Sequence, residues 1–351
     1  MSRSVLVFLL VALFGWAAFA SDPPPDLDKP LSPSDRAAVE AAIADELIER
    51  HFAFETESFW LNLHHLLMQQ AALDPSVTFR GSKLPPHLPR VDTSGWSEEH
   101  AAAWGKAIRF YLQKMFRRNV LFDNGMLEIK ERLKGLGENE LPSADDAGFN
   151  EELVAALSAG SDAYRARLWE DHKALNRAFV EELRPRMRKV VSTLPQKLTA
   201  SLGMPWPEPI RVDVCIAASW SGAYTTLDPH HICVASIDSR SEGWLGVEVL
   251  FHEAGHTLIR RVWIGLQDEC QKQGKELPRD LWHTIIFFTA GELVRPYAGE
   301  SFVPYAAAEG LWDRAPQWAD HRKALQKTWP PLLEGKVDVE TAIAALVKEL
   351  P

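Results

Sequence analysis

Residues 252–256 read His-Glu-Ala-Gly-His, inside a stretch from roughly Trp244 to Val262 that is patterned as a helix. Val247, Leu250, Ala254, Leu258 and Val262 recur at three- and four-residue spacing and form one apolar stripe. The two histidines fall roughly opposite that stripe. Residues four apart on a helix sit one above the other, so His252 and His256 can point two imidazoles at one cation. Glu253 lies about 100° round the helix and can reach a water bound there. This pattern asks for a helix with one face on a core and the other on a cleft. The competing reading is a helix with two ordinary surface histidines and a surface glutamate.

The rest of the chain can supply such a core. It has 351 residues, 46% of them hydrophobic, with 13 Trp and 16 Phe, enough for one large domain or two modest ones. Its net charge is −10 with histidine neutral, and no strong basic cluster appears beyond Arg117-Arg118 and Arg184 to Lys189. A nucleic-acid partner is therefore not expected. The N-terminus reads as a signal peptide over residues 1–20: Arg3, an apolar run from Val5 to Phe14, then Ala18-Phe19-Ala20 as a cleavage site. The expected location is secreted or periplasmic, with membrane attachment only if that segment stays uncleaved. An oxidising compartment permits disulfides, and a bridge between Cys215 and Cys233 is conceivable; two separately buried thiols are the alternative.

Residues 21–34 are Pro- and Asp-rich and read as a linker, with Ser34 or Asp35 able to cap the next helix. Residues 35–203 read as nearly all helical, interrupted by an irregular Pro-rich loop over residues 75–94 and by a break at Gly135, Gly137 and Pro142, with one long helix from about Glu151 to Leu183 continuing past Pro185 to Leu202. The character changes at Met204. Ile210 to Ala217 and His231 to Ser236 read as strands, with a turn-rich stretch between them. An edge strand there could hold an extended peptide across a metal, or the pair could be a structural hairpin. The expected fold is mainly α (α+β), a helical first half followed by a region, 204–351, with a small sheet packed on the motif helix.

A catalytic zinc has three protein ligands and a water, so one more ligand is needed. Pro278 to Pro296 is a helix-like stretch whose interior carries two groups able to bind zinc, His283 and Glu292. On one regular helix they face nearly opposite ways, so one of them is expected to reach the metal. Glu292 is favoured. It follows Gly291, which would allow close helix approach, and shares a face with Leu281, Ile285 and Phe288, where a carboxylate needs a cation. His283 is the second candidate and Glu276 the third, and an ion pair with Arg295 is the other reading of Glu292. With Glu292 as ligand, His283 could hydrogen-bond the oxyanion of a tetrahedral intermediate, with Tyr224, Tyr297 and Tyr305 as further candidates. Glu248, one turn before His252, could orient a ligand histidine or be solvated.

Through His252, Glu253 and His256, with Glu292 on a later helix, the chain resembles the zincin metallopeptidases, and among them the glutamate-ligand branch, the gluzincins. The resemblance covers roughly Cys233 to Pro296. It implies that the two histidines and the later glutamate bind Zn²⁺, that Glu253 is the general base, and that a mostly helical body carries a small sheet against the motif helix. Ile259 and Val262 stand where the metzincin extension needs Gly and His, and Pro296 stands where the gluzincin glutamate helix has an Asp. The expected function is an extracytoplasmic zinc metallohydrolase, a peptidase acting on a peptide or protein substrate. The alternatives are a non-catalytic binding protein with a structural zinc, using features such as His64-His65, and a zinc hydrolase of non-peptide amides or esters.

Overall fold

The computed structural model describes residues 32–77, 89–218 and 221–350. The leader expected over residues 1–20 and most of the linker lie outside these residues. The first helix, α1 (Pro33–His51), is capped by Ser32, whose hydroxyl accepts from the Asp35 backbone N–H. The cap falls earlier than Ser34 because Pro33 suits the first helical position, where no N–H is needed. The chain then forms β1 (Phe52–Glu55), α2 (Phe59–Ala72), α3 (Glu98–Lys114), α4 (Asn124–Leu133), α5 (Glu151–Arg167), α6 (Trp169–Val190) and α7 (Leu194–Leu202). The long helix expected from Glu151 onward is thus three helices. It breaks at Leu168, which leaves helical geometry with φ −133°, and again before Leu194.

The second half contributes β2 (Ile210–Cys215), β3 (Ala223–Leu227), β4 (His230–Ala235) and the motif helix α8 (Gly243–Leu258). It continues with α9 (Arg260–Lys272), α10 (Leu281–Ala298), α11 (Tyr305–Ala308), α12 (Pro316–Thr328), α13 (Pro330–Leu333) and α14 (Val339–Glu349). The protein is mainly helical with one small sheet, as the sequence led us to expect. Among the described residues no helix is long and apolar enough to cross a membrane.

The sheet has the order β1-β2-β4-β3. β1, β2 and β4 run parallel and β3 runs antiparallel to β4 on the edge. β1 lies inside the stretch read as helix. Its Phe52 is fully buried, edge-on to Trp206 (5.4 Å) and Phe251 (5.6 Å), so tertiary packing overrides the local helical pattern. The sheet therefore crosses the boundary expected at residue 204.

Side chains alternate between two cores. Val212, Val214, Ile232 and Val234 join a core shared with α6, α8 and the C-terminal helices; Cys215, Tyr224 and Cys233 face a second core built on α2 to α5. All three cysteines are free thiols, which corrects the idea of a Cys215–Cys233 bridge. The register sets Cys233 opposite Asp213 and Cys215 opposite Ala235, so the two thiols are diagonal rather than facing.

Candidate metal centre

Two helices build the site. α8 carries His252 and His256 one turn apart, and α10 packs against it and brings His283. Gly255 makes the approach possible: a Cβ there would sit 2.6 Å from Ile286 Cγ2 on α10. The Nε2 atom of His252 lies 3.2 Å from that of His256 and 3.3 Å from that of His283. One ligand atom from each of the three rings lies within 4.8 Å of the others.

Aromatic rings fix the orientation of the imidazoles. Phe287 stacks on His252 (3.9 Å, 27°) and Trp282 stacks on His283 (5.0 Å, 24°). Trp282 also meets His256 edge-on, and Trp318 meets His283. His252 is buried and the other two rings are half-buried. Burial, then the neighbouring imidazoles, hold His252 and His256 well below the usual histidine range, and burial lowers His283 to about 4. At neutral pH all three rings are therefore uncharged, with lone pairs to offer.

The donor set fits a tetrahedral cation. Zn–N bonds of about 2.05 Å at tetrahedral angles put ligand nitrogens about 3.3 Å apart. The two separations from His252 Nε2, 3.2 and 3.3 Å, match that spacing, whereas hydrogen bonding accounts for only one of them, since His252 Nε2 can engage in one such bond and has two close neighbours.

Glu253 lies beside the triad, its Oε2 3.9 Å from His256 Nε2. Burial raises its carboxyl to about 7, while the Thr225 hydroxyl, donating to Oε2 at 2.6 Å, pulls the other way. Thr225 belongs to β3, so the edge strand runs alongside the motif. The sequence reading took this stretch for turn; the available signal was the run Ala223-Tyr-Thr-Thr-Leu227, short but β-branched and aromatic.

The structure does not bring Glu292 to the site. Its carboxylate is held bidentately by Arg295, at 2.8 and 3.0 Å, and among the described residues it is His283 that lies with His252 and His256. Gly291 does permit close packing, but against Glu248 and Pro304 rather than against the histidines. Glu276 is exposed on the connection after α9. Tyr224 points into the second core, where its hydroxyl pairs with His65. His64 pairs with Tyr111, so the His64-His65 pair is buried core rather than partner surface. Tyr305 stays near the site. Its ring is parallel to Phe287 at 6.0 Å, and its phenol is pushed up to about 12 by burial, with Arg240 and Glu253 among the charges that act on it. Tyr297 is half-buried against the first core.

No protein-family model, curated protein or solved structure matches this chain.

Proposed function

We propose that this chain is an extracytoplasmic zinc-dependent hydrolase acting on peptide bonds. The observation that carries the reading is the convergence of the His252, His256 and His283 Nε2 atoms beside a buried carboxyl. Among the described residues the cluster holds three ligands, and a catalytic zinc site has three protein ligands and one open position. The third ligand in this reading is a histidine, so the resemblance to the gluzincins holds for the motif helix and not for the ligand set. A bound Zn²⁺ would supply Lewis acidity and a water of lowered pKa. Glu253 takes the proton from the attacking water and passes it to the leaving amine. The Thr225 hydrogen bond keeps that carboxyl turned toward the triad. In this reading Tyr305, whose ring lies parallel to Phe287, donates to the developing oxyanion. β3, as the edge strand, supports a peptide over other amides or esters, because an extended chain can be held along it.

The test is zinc content of the purified protein beside His252→Ala, His283→Ala and Glu292→Ala. The reading expects one zinc per chain, lost in both histidine variants and kept in Glu292→Ala. Zinc kept in His283→Ala and lost in Glu292→Ala would overturn the ligand set, and no uptake on titration would overturn the enzyme.

A further inference from the structure

A cavity opens one ring away from the triad. On α10, Phe288, Glu292 and Arg295 follow one another at four- and three-residue spacing and so share a face. With Phe287 they line a cavity that Trp312 and, on α12, Arg322 complete. Phe287 is the shared wall: it stacks on the His252 ring at 3.9 Å and lines the cavity as well. The three aromatic side chains, Phe287, Phe288 and Trp312, are buried, so much of the wall is apolar.

The charges in this cavity do not balance, since two guanidiniums face one carboxylate. Arg295 is fully engaged. Its Nε and Nη2 donate to Glu292 at 3.0 and 2.8 Å, and its Nη1 donates to the Phe302 carbonyl at 3.2 Å. Arg322 is half-buried, with its Cζ over the Trp312 ring at 5.9 Å. Among the described residues no carboxylate or carbonyl pairs with it. Its paired N–H groups match the two oxygens of a carboxylate, and apolar walls strengthen that attraction by holding water away. The space also fits a small group. Water-sized groups can enter about 40 Å³ of it, about three times what a single water needs. That admits the three heavy atoms of a carboxylate and excludes a large aromatic side chain.

We infer that this cavity is a substrate subsite for a carboxylate, which pairs with Arg322 beside the Trp312 ring. The carboxylate is the C-terminal end of a peptide or an acidic side chain within it. Phe287 joins the subsite to the triad, so a substrate held here lies against the histidines. As part of an active site the cavity rests on the peptidase reading, whereas its preference for a carboxylate is measured without zinc and without turnover.

The experiment measures binding of three peptides to the metal-free full-length protein by NMR titration. They are acetyl-trialanine with a free C-terminal carboxylate, its C-terminal amide, and the amide with glutamate as the central residue. The free acid should bind about 10-fold more tightly than the amide, the worth of a hydrogen-bonded charge. Arg322→Gln should remove the difference. Glu292→Gln, which releases Arg295, should enlarge it. Tight binding of the glutamate peptide instead, lost in Arg322→Gln, keeps the subsite and assigns the carboxylate to a side chain. Equal binding of all three peptides to the wild type overturns the inference without recourse to any variant. A preference that survives in Arg322→Gln, or does not grow in Glu292→Gln, also overturns it. A chain that takes up no zinc, yet selects the carboxylate through Arg322, keeps the subsite and sinks only the peptidase.

Discussion

The carboxyl of Glu253 touches Thr225 on one side and the histidine triad on the other, and no cationic side chain appears among its partners. It is free to accept a proton rather than being held in an ion pair, as Glu292 is. Glu253→Gln is isosteric and should leave zinc content unchanged. Peptide hydrolysis should fall about 10²- to 10⁴-fold, the usual worth of a general base; a variant retaining wild-type turnover would remove Glu253 from this role. His252, Glu253 and His256 were legible in the sequence because their relation is local, fixed by the pitch of one helix. The third member of the cluster was legible only as one of several candidates, because the choice between His283 and Glu292 depends on which side of α10 faces α8. That is decided by a tertiary contact, the bare Gly255 against Ile286.

At the scale of the element, that contact carries its own prediction. Gly255→Val places a branched side chain where even a Cβ would be 2.6 Å from Ile286. It should cost about 1–3 kcal/mol in chemical denaturation, the range for overpacked cores, and weaken zinc by moving α10. Unchanged affinity would separate the helix contact from the metal centre. β1 and β3 were not legible as strands: one is four residues long within a helical pattern, the other five residues within a turn-rich stretch. Both are defined by their neighbours in the sheet. On the face of the sheet away from the motif, β2 and β4 bury His231 against Asp213 at 2.6 Å. Burial opposes charge on His231, but Cys233, Asp213 and Glu131 outweigh it and raise the ring to about 10. Because the folded value lies above the unfolded one of about 6.5, the ring's contribution is complete below pH 6.5. It is lost as the pH rises from there toward 10. Denaturation midpoints from pH 6 to pH 10 should fall more steeply for the wild type than for His231→Gln; parallel curves would contradict this.

In the whole molecule, one sheet separates two cores, and the triad lies on the side with α8 and α10. Composition and periodicity made the mainly helical class legible, since helices announce themselves by spacing along the chain. The partition did not, because β1 comes from the first half and pairs with β2 from the second. The two halves thus share one sheet. Residues 204–351 expressed alone lack the parallel neighbour of β2 and the Phe52 ring packed on Phe251. That fragment should show no cooperative thermal transition by circular dichroism, whereas residues 21–351 should show a single one. A fragment that melts cooperatively would show that the second half folds by itself.

The most direct test of the account is X-ray absorption at the zinc edge of the zinc-loaded full-length protein. The account predicts three imidazole nitrogens at about 2.0–2.1 Å and one further light atom from water, with one nitrogen lost in His283→Ala. A first shell with a carboxylate in place of the third imidazole, or four protein ligands with no water, would contradict it.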